Sequence, residues 1–264
     1  MTEIITQVEN HVGTLILNRP KKRNALSQSL LIDLHMALKK WEDSGDVWTV
    51  VIKGAGDSAF SSGYDIVSIP TSIPSEIQEM LKESNPLELA LNSVKQYPYP
   101  VIAMMNGYTF GAGLNLAMCC DIRIAMDTIK TGMPPAKLGL VYHPEGLKQF
   151  IEVIGISKTK ELFFTARTYS AAQAKEMGLV DYLIPEKELS AFTYEMARDI
   201  TLNAPLSICG TKKIFNMLMR NHFYMTESDT KEAERLIVNA FNSDDLKEGQ
   251  TAFLEKRKPC FKGC

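Results

Sequence analysis

The sequence predicts an α/β fold with a helical C-terminal extension. Two observations carry that prediction. Up to about residue 184, apolar runs of strand length alternate with stretches of helical spacing; beyond it the helical spacing continues alone. In addition, two apolar strands, 47–53 and 101–105, each lead into a loop of small residues, as in sheets that bind ligands at strand ends. A chain of 264 residues is long enough for one large domain, or a domain with an appendage.

The elements follow in order. Residues 4–9 and 12–17 alternate as a strand pair around Asn10-His11. Asn18-Arg19-Pro20 opens a basic loop, Lys21-Lys22-Arg23. Ser27 is the expected N-cap of a helix to about Trp41, with Leu30, Leu31, Leu34, Ala37 and Leu38 at helical spacing. Residues 47–53 form a buried strand and 54–62 a turn-rich loop. Residues 75–97 read as a broken helix covering a site. Strand 101–105 breaks at Asn106-Gly107, and the turn 110–113 opens an apolar helix over 114–120. A short strand spans 121–126, and Pro134-Pro135 excludes a regular helix over 131–140. Helices are expected from Pro144 to about Val153, over 157–165, and over 170–177 with Gly178 closing the last; 179–184 is a strand. Helices over 189–203, 205–218, 227–241 and 244–255 complete the chain.

Composition narrows the function. Apolar content of 45% and charged content of 23% are ordinary for a globular protein. A net charge of -2 offers no attraction to nucleic acid or an anionic membrane. No apolar run approaches the roughly 18 residues of a membrane span. MTEIITQVENHVG lacks the basic and apolar regions of a signal peptide. The five cysteines are odd in number and form no C-x-x-C pair, so a reduced, cytoplasmic setting is expected, with Cys119 and Cys120 as small core residues. No metal site is expected.

The turn Phe110-Gly111-Ala112-Gly113 points unpaired N–H groups at one spot, at the positive end of a helix dipole. Such a spot holds an anionic oxygen. The loop Phe60-Ser61-Ser62-Gly63-Tyr64-Asp65-Ile66 follows its own strand in the same way. Side by side, the loops would offer the N–H groups of Tyr64 and Ala112 to a thioester oxygen that becomes an enolate. Spacing alone slightly favours two independent tight turns.

FSSGYDI, followed by PVIAMMNGYTFGAGLNLAMCCDIRIA, resembles the crotonase (enoyl-CoA hydratase/isomerase) superfamily. NRPKKRNALS matches its NRP-x-x-x-NAL signature, and TARTYSAAQAKEMGLVDYLIP resembles its later T-G-x-x-x-x-A segment, with Ala166 in place of the glycine. The resemblance implies a spiral of ββα units and a thioester oxygen held by Tyr64 and Ala112. It implies coenzyme A, present as part of the substrate rather than as a separate cofactor, running past Lys22, Arg23 and Ala25. Pantetheine would lie along Ser62, Gly63, Asp65 and Ile66, with Gly111 and Pro134 close by. Lys256 would reach the phosphates of a neighbouring subunit's coenzyme A. Residues 1–200 would form the acyl-CoA-binding core and 201–264 a trimerisation and lid region, in a homotrimer or dimer of trimers.

Chemistry varies among proteins of this fold, so local residues decide it. Resembling hydratases carry two glutamates that bind water; here those positions are Asn115 and Pro135, neither of which can act as a base. What remains is Tyr142, His143 and Glu145, in GLVYHPEG. The tyrosine and the ending EGQTAFLEKRKP resemble the methylmalonyl-CoA decarboxylase branch, although that branch has histidine at Tyr64 and glutamate at Asn115. The expected activity is decarboxylation of a short 2-carboxyacyl-CoA, with Tyr142 and Asn115 near the carboxylate. The alternatives are hydration or isomerisation of an unusual enoyl-CoA through Glu145 or Tyr142, and a non-catalytic acyl-CoA binder.

Overall fold

A computed structural model describes residues 2–65, 86–138, 142–220, 226–255, 257 and 259–263. The expected α/β class and its helical C-terminal region are present, and the strands form two sheets. The larger sheet contains β1 (Ile4–Glu9), β2 (Val12–Leu17), β3 (Thr49–Gly54), β5 (Val101–Met105), β7 (Ile122–Met126) and β10 (Tyr182–Ile184), in the spatial order β1-β2-β3-β5-β7-β10. β1 and β2 pair antiparallel across Asn10 and His11, both left-handed at φ 48° and 64°. All other neighbours in this sheet are parallel. β5 is buried along its whole length, as a central parallel strand covered on both faces must be.

The smaller sheet contains β4 (Ala59–Ser61), β6 (Tyr108–Phe110), β8 (Lys130–Gly132) and β9 (Thr168–Ser170), in that order. Its first three strands each follow one strand of the larger sheet, so β3-β4, β5-β6 and β7-β8 are successive turns of a spiral. β4 falls in the loop expected over 54–62, and the other three short strands fall where no strand is expected from the sequence. Three residues are too few to show alternation, and their pairing is set by neighbours brought in by the larger sheet.

The helices include α1 (Gln28–Ser44), α2 (Pro86–Gln96), α3 (Ala112–Cys119), α4 (Pro144–Thr165) and α5 (Ala171–Met177), followed by α6 (Glu186–Thr201), α7 (Pro205–Arg220), α8 (Glu227–Phe241) and α9 (Asp244–Glu255). Ser27 caps α1 by accepting from the Leu30 N–H. The helix outruns Trp41 to Ser44 because the stop signal is Gly45, left-handed at φ 69°. Gly155 (φ 71°, ψ 165°) interrupts α4 between the two helices expected there. Ser170 and Gln173 form a capping box at α5, and Gly178 ends it. α6 lies across the larger sheet, touching β2, β3, β5, β7 and β10. Cys119 and Cys120 are buried in the core, as expected of small apolar residues. Of the cover expected over 75–97, residues 75–85 lie outside the described residues and 86–96 form α2. No helix among the described residues is long and apolar enough to cross a membrane.

Candidate active site

The two glycine loops come together because their strands do. β3 and β5 are parallel neighbours, and β4 pairs with β6 in a register that sets Ser61 opposite Thr109. Asn106 fastens the strand ends: its side-chain carbonyl accepts from the Gly54 N–H at 2.9 Å, and its amide donates to the carbonyls of Gly54 and Gly56. Gly63, at φ 102°, lies so close to the other loop that a β-carbon there would sit 2.9 Å from the Phe110 carbonyl oxygen and 3.4 Å from the Ala112 nitrogen. Gly111, at φ 53°, is the N-cap of α3 and provides no side-chain cap. Among the described residues, the N–H groups of Tyr64 and Ala112 have no acceptor. Two open donors on adjoining loops, one at a helix N-terminus, match an oxyanion hole in kind.

α3 carries the next part of the site. Asn115 lies one turn beyond Gly111, with its N–H donating to the Gly111 carbonyl. Its side chain is 1% exposed and fully engaged. The Tyr142 hydroxyl donates to Asn115 Oδ1 at 2.8 Å, and Asn115 Nδ2 donates to Gln149 Oε1 at 2.6 Å. Gly146 makes this possible, since a β-carbon there would lie 2.4 Å from Tyr142 Cε1 and 3.1 Å from Asn115 Oδ1. Phe163 packs on the Tyr142 ring at 5.3 Å between centroids, and Phe150 meets Phe163 edge-on. Burial pushes the Tyr142 phenol well above its ordinary range, and the Cys119 thiol up to about 12. Tyr142, Asn115, Gln149 and Cys119 are therefore all uncharged near neutral pH.

Glu145 occupies the first turn of α4, partly buried, where a carboxylate complements the helix dipole. His143 turns outward and pairs with Glu88 of α2 at 2.9 Å, which ties α2 to the start of α4. Pro135 is buried at the start of a 3-10 turn, Pro135–Leu138. Neither Asn115 nor Pro135 supplies a carboxylate.

The residues expected along coenzyme A also gather. The Ser62 N–H donates to the Arg23 carbonyl, and the Leu26 N–H to the Gly63 carbonyl, so the 22–26 loop lies against 62–65. Arg23 and Asn24 are both left-handed, at φ 50° and 54°. Asn24 holds that turn by accepting from the Arg19 N–H and donating to the Ala55 and Ala59 carbonyls. Lys22 is 59% exposed along its side chain and lies 3.5 Å from Asp65. The Asp65 side chain faces Arg19, which donates to it at 2.9 Å and to the Ala25 carbonyl at 2.7 Å. Gly111 and Pro134 adjoin, a β-carbon on Gly111 falling 3.9 Å from Pro134 Cδ. Ile66 and Lys256 lie outside the described residues.

Arg19 holds Asp65 below its ordinary carboxylate range, with Lys22 adding to the effect. A depressed native pKa stabilises the fold above the ordinary carboxylate range, and that contribution is lost as pH falls through the lowered value. Asp65→Asn is expected to cost about 1 kcal/mol at pH 7. The difference from wild type should shrink to nothing on acidification, as measured by thermal melts between pH 7 and pH 2.

Sequence reasoning missed two residues here. Gln149 is 3% exposed and anchors Asn115; its signal was a polar residue set beside the apolar Phe150. Arg19 joins the 22–26 loop to Asp65; its signal was an arginine between Asn18 and Pro20 in the NRP motif.

Known proteins share this architecture and sequence. The family described as enoyl-CoA hydratase/isomerase matches residues 7–264. A probable mitochondrial enoyl-CoA hydratase of Dictyostelium discoideum is 32% identical over 255 residues, covering 96% of this chain and 88% of that protein. The methylmalonyl-CoA decarboxylase of Escherichia coli is 31% identical over 255 residues, covering 96% of this chain and 95% of that one. The crystal structure of an enoyl-CoA hydratase from Bacillus anthracis superposes with a TM-score of 0.90 at 28% identity, covering 99% of this chain and 100% of that one.

Proposed function

This chain belongs to the enoyl-CoA hydratase/isomerase family, the crotonase superfamily, and from that premise we propose that it decarboxylates a short 2-carboxyacyl-CoA such as methylmalonyl-CoA. Family membership supplies the acyl-CoA thioester as substrate class. The observation that carries the choice of reaction is the uncharged chain Tyr142–Asn115–Gln149, whose Asn115 stands where the family resemblance expects a hydratase glutamate. An amide cannot deprotonate water, and it does not repel a substrate carboxylate.

In this reading the thioester oxygen accepts from the Tyr64 and Ala112 N–H groups. The Tyr142 hydroxyl turns its proton from Asn115 Oδ1 to the substrate carboxylate and holds it out of the thioester plane, with Asn115 beside it. The bond between the α-carbon and the carboxyl group breaks, carbon dioxide leaves, and the electron pair passes through the α-carbon onto the thioester oxygen. A proton from solvent then adds to the α-carbon and restores the thioester. The two N–H groups act where charge develops, so they stabilise the transition state more than the bound substrate.

Purified protein given methylmalonyl-CoA is expected to release carbon dioxide and propionyl-CoA, and to leave crotonyl-CoA unchanged. Rapid hydration of crotonyl-CoA with methylmalonyl-CoA intact would overturn the reading. Enoyl-CoA hydration or isomerisation has one observation in its favour, the partly buried Glu145 carboxylate one turn from Gln149. Full activity of Glu145→Gln on any enoyl-CoA turned over would remove it.

A further inference from the structure

Arg19 lies just beyond β2, where three segments meet, and its side chain is 13% exposed. Its Nε pairs with Glu3 at 2.9 Å, one terminal nitrogen donates to the Ala25 carbonyl at 2.7 Å, and the other donates to Asp65 at 2.9 Å. The last two bonds tie the 22–26 loop to the loop that carries Tyr64. Between those loops runs a short parallel bridge, Leu26 with Tyr64. The Leu26 N–H donates to the Gly63 carbonyl at 2.8 Å, and the Asp65 N–H donates to the Leu26 carbonyl at 3.0 Å. Backbone groups of successive residues in an extended segment point to opposite sides. With Gly63 and Asp65 both bonded to Leu26, the Tyr64 N–H turns away from it, and that N–H is one of the two open donors of the site. The bridge therefore sets the direction of the donor. Arg19 grips both strands of the bridge, one residue before Leu26 and one residue after Tyr64.

We infer that Arg19 is a positioning residue for the oxyanion hole: by joining the Ala25 carbonyl to the Asp65 carboxylate, it holds the Leu26–Tyr64 bridge in the register that aims the Tyr64 N–H at the thioester oxygen. The inference rests on the placing of the hole at Tyr64 and Ala112, and not on which reaction follows. Arginine suits the task, because its planar fork offers two donors at a fixed spacing. A donor turned out of line loses most of its worth, since hydrogen bonds weaken steeply with misalignment. Lys22 is the other cation at Asp65, 3.5 Å away and largely exposed, and it stays unchanged in the variants below.

Propionyl-CoA and S-propyl-CoA differ by one carbonyl oxygen, and neither carries a double bond or a free carboxyl group. Their dissociation constants, measured by calorimetry, give an affinity ratio that reports the donors and cancels the contacts of coenzyme A. The infrared band of an isotope-labelled thioester carbonyl in bound propionyl-CoA reports the same donors, because hydrogen bonding lowers its frequency. Arg19→Met keeps the apolar stem and removes the fork. It is expected to lower the preference for the thioester about three- to tenfold, the worth of one hydrogen bond, and to move the band back toward that of the free ligand. Gly45→Ala is the control for simple loss of stability. It strains the fold at the far end of α1, at φ 69° and with nothing within 4 Å of the added carbon, and should leave both readouts at their wild-type values. Should Arg19→Met fail to fold, Asp65→Ala releases the other end of the grip and should move both readouts in the same direction. Wild-type readouts in the folded variant would overturn the inference, as would an equal change in Gly45→Ala. A wild-type complex whose carbonyl band does not shift on binding would instead remove the hole at Tyr64 and Ala112, and the inference with it.

Discussion

Ala112→Pro is expected to lower kcat about 10²–10³-fold while the protein stays folded, the loss typical of one missing oxyanion donor. Ala112 is the first residue of α3, where proline is well tolerated because its missing N–H has no partner within the helix. The residue before a proline must avoid the helical region, and Gly111 already does so, at φ 53° and ψ −126°. Those angles mirror the extended conformation that precedes proline, and glycine has no β-carbon to prevent it. Melting temperature and circular dichroism should change little while turnover collapses. A fully active Ala112→Pro enzyme would remove Ala112 from the oxyanion hole.

The second large effect is expected at Gly113. A β-carbon there would lie 2.6 Å from Ser61 Cβ and 2.7 Å from the Ser61 carbonyl oxygen. Ser61 belongs to β4, immediately before the loop that carries Tyr64. Gly113→Ala must therefore push α3 away from that loop, because backbone atoms cannot step aside as a flexible side chain can. Overpacking of this kind costs about 1–3 kcal/mol of stability. It should also separate the two oxyanion donors, so activity should fall by more than the loss of folded protein explains. Urea unfolding and kcat, measured on the same preparation, distinguish the two effects.

The longer strands and most helices were legible because each carries its own signal. Ser27 precedes a helical apolar pattern, Gly178 follows one, and Gly155 falls in the gap between two. The glycine turn of α3 was legible for the same reason: the residues that make it are contiguous. The smaller sheet was not, because its strands have three residues each and owe their existence to neighbours distant in sequence. The site divides along the same line. Tyr64, Ala112, Asn115 and Tyr142 stood out through local motifs and family resemblance. Gln149 did not, because its partner is 34 positions away on another helix. Nor did Arg19, whose carboxylate partner is 46 positions away. The raised pKa of Tyr142 was equally hidden, since burial belongs to the folded chain and to no motif.

A homotrimer or a dimer of trimers, with the 201–264 helices at the contacts, remains a proposal; the exposed Phe215 on α7 supports it, and molar mass in solution tests it.

The most direct measurement follows the fate of solvent atoms. Wild-type protein is mixed in heavy water with methylmalonyl-CoA or with crotonyl-CoA, and the products are weighed by mass spectrometry at early times. Enolate formation without water addition predicts propionyl-CoA carrying one solvent deuterium at its α-carbon, and crotonyl-CoA of unchanged mass. Crotonyl-CoA that gains the mass of heavy water, beside methylmalonyl-CoA that keeps its carboxyl group, would contradict it.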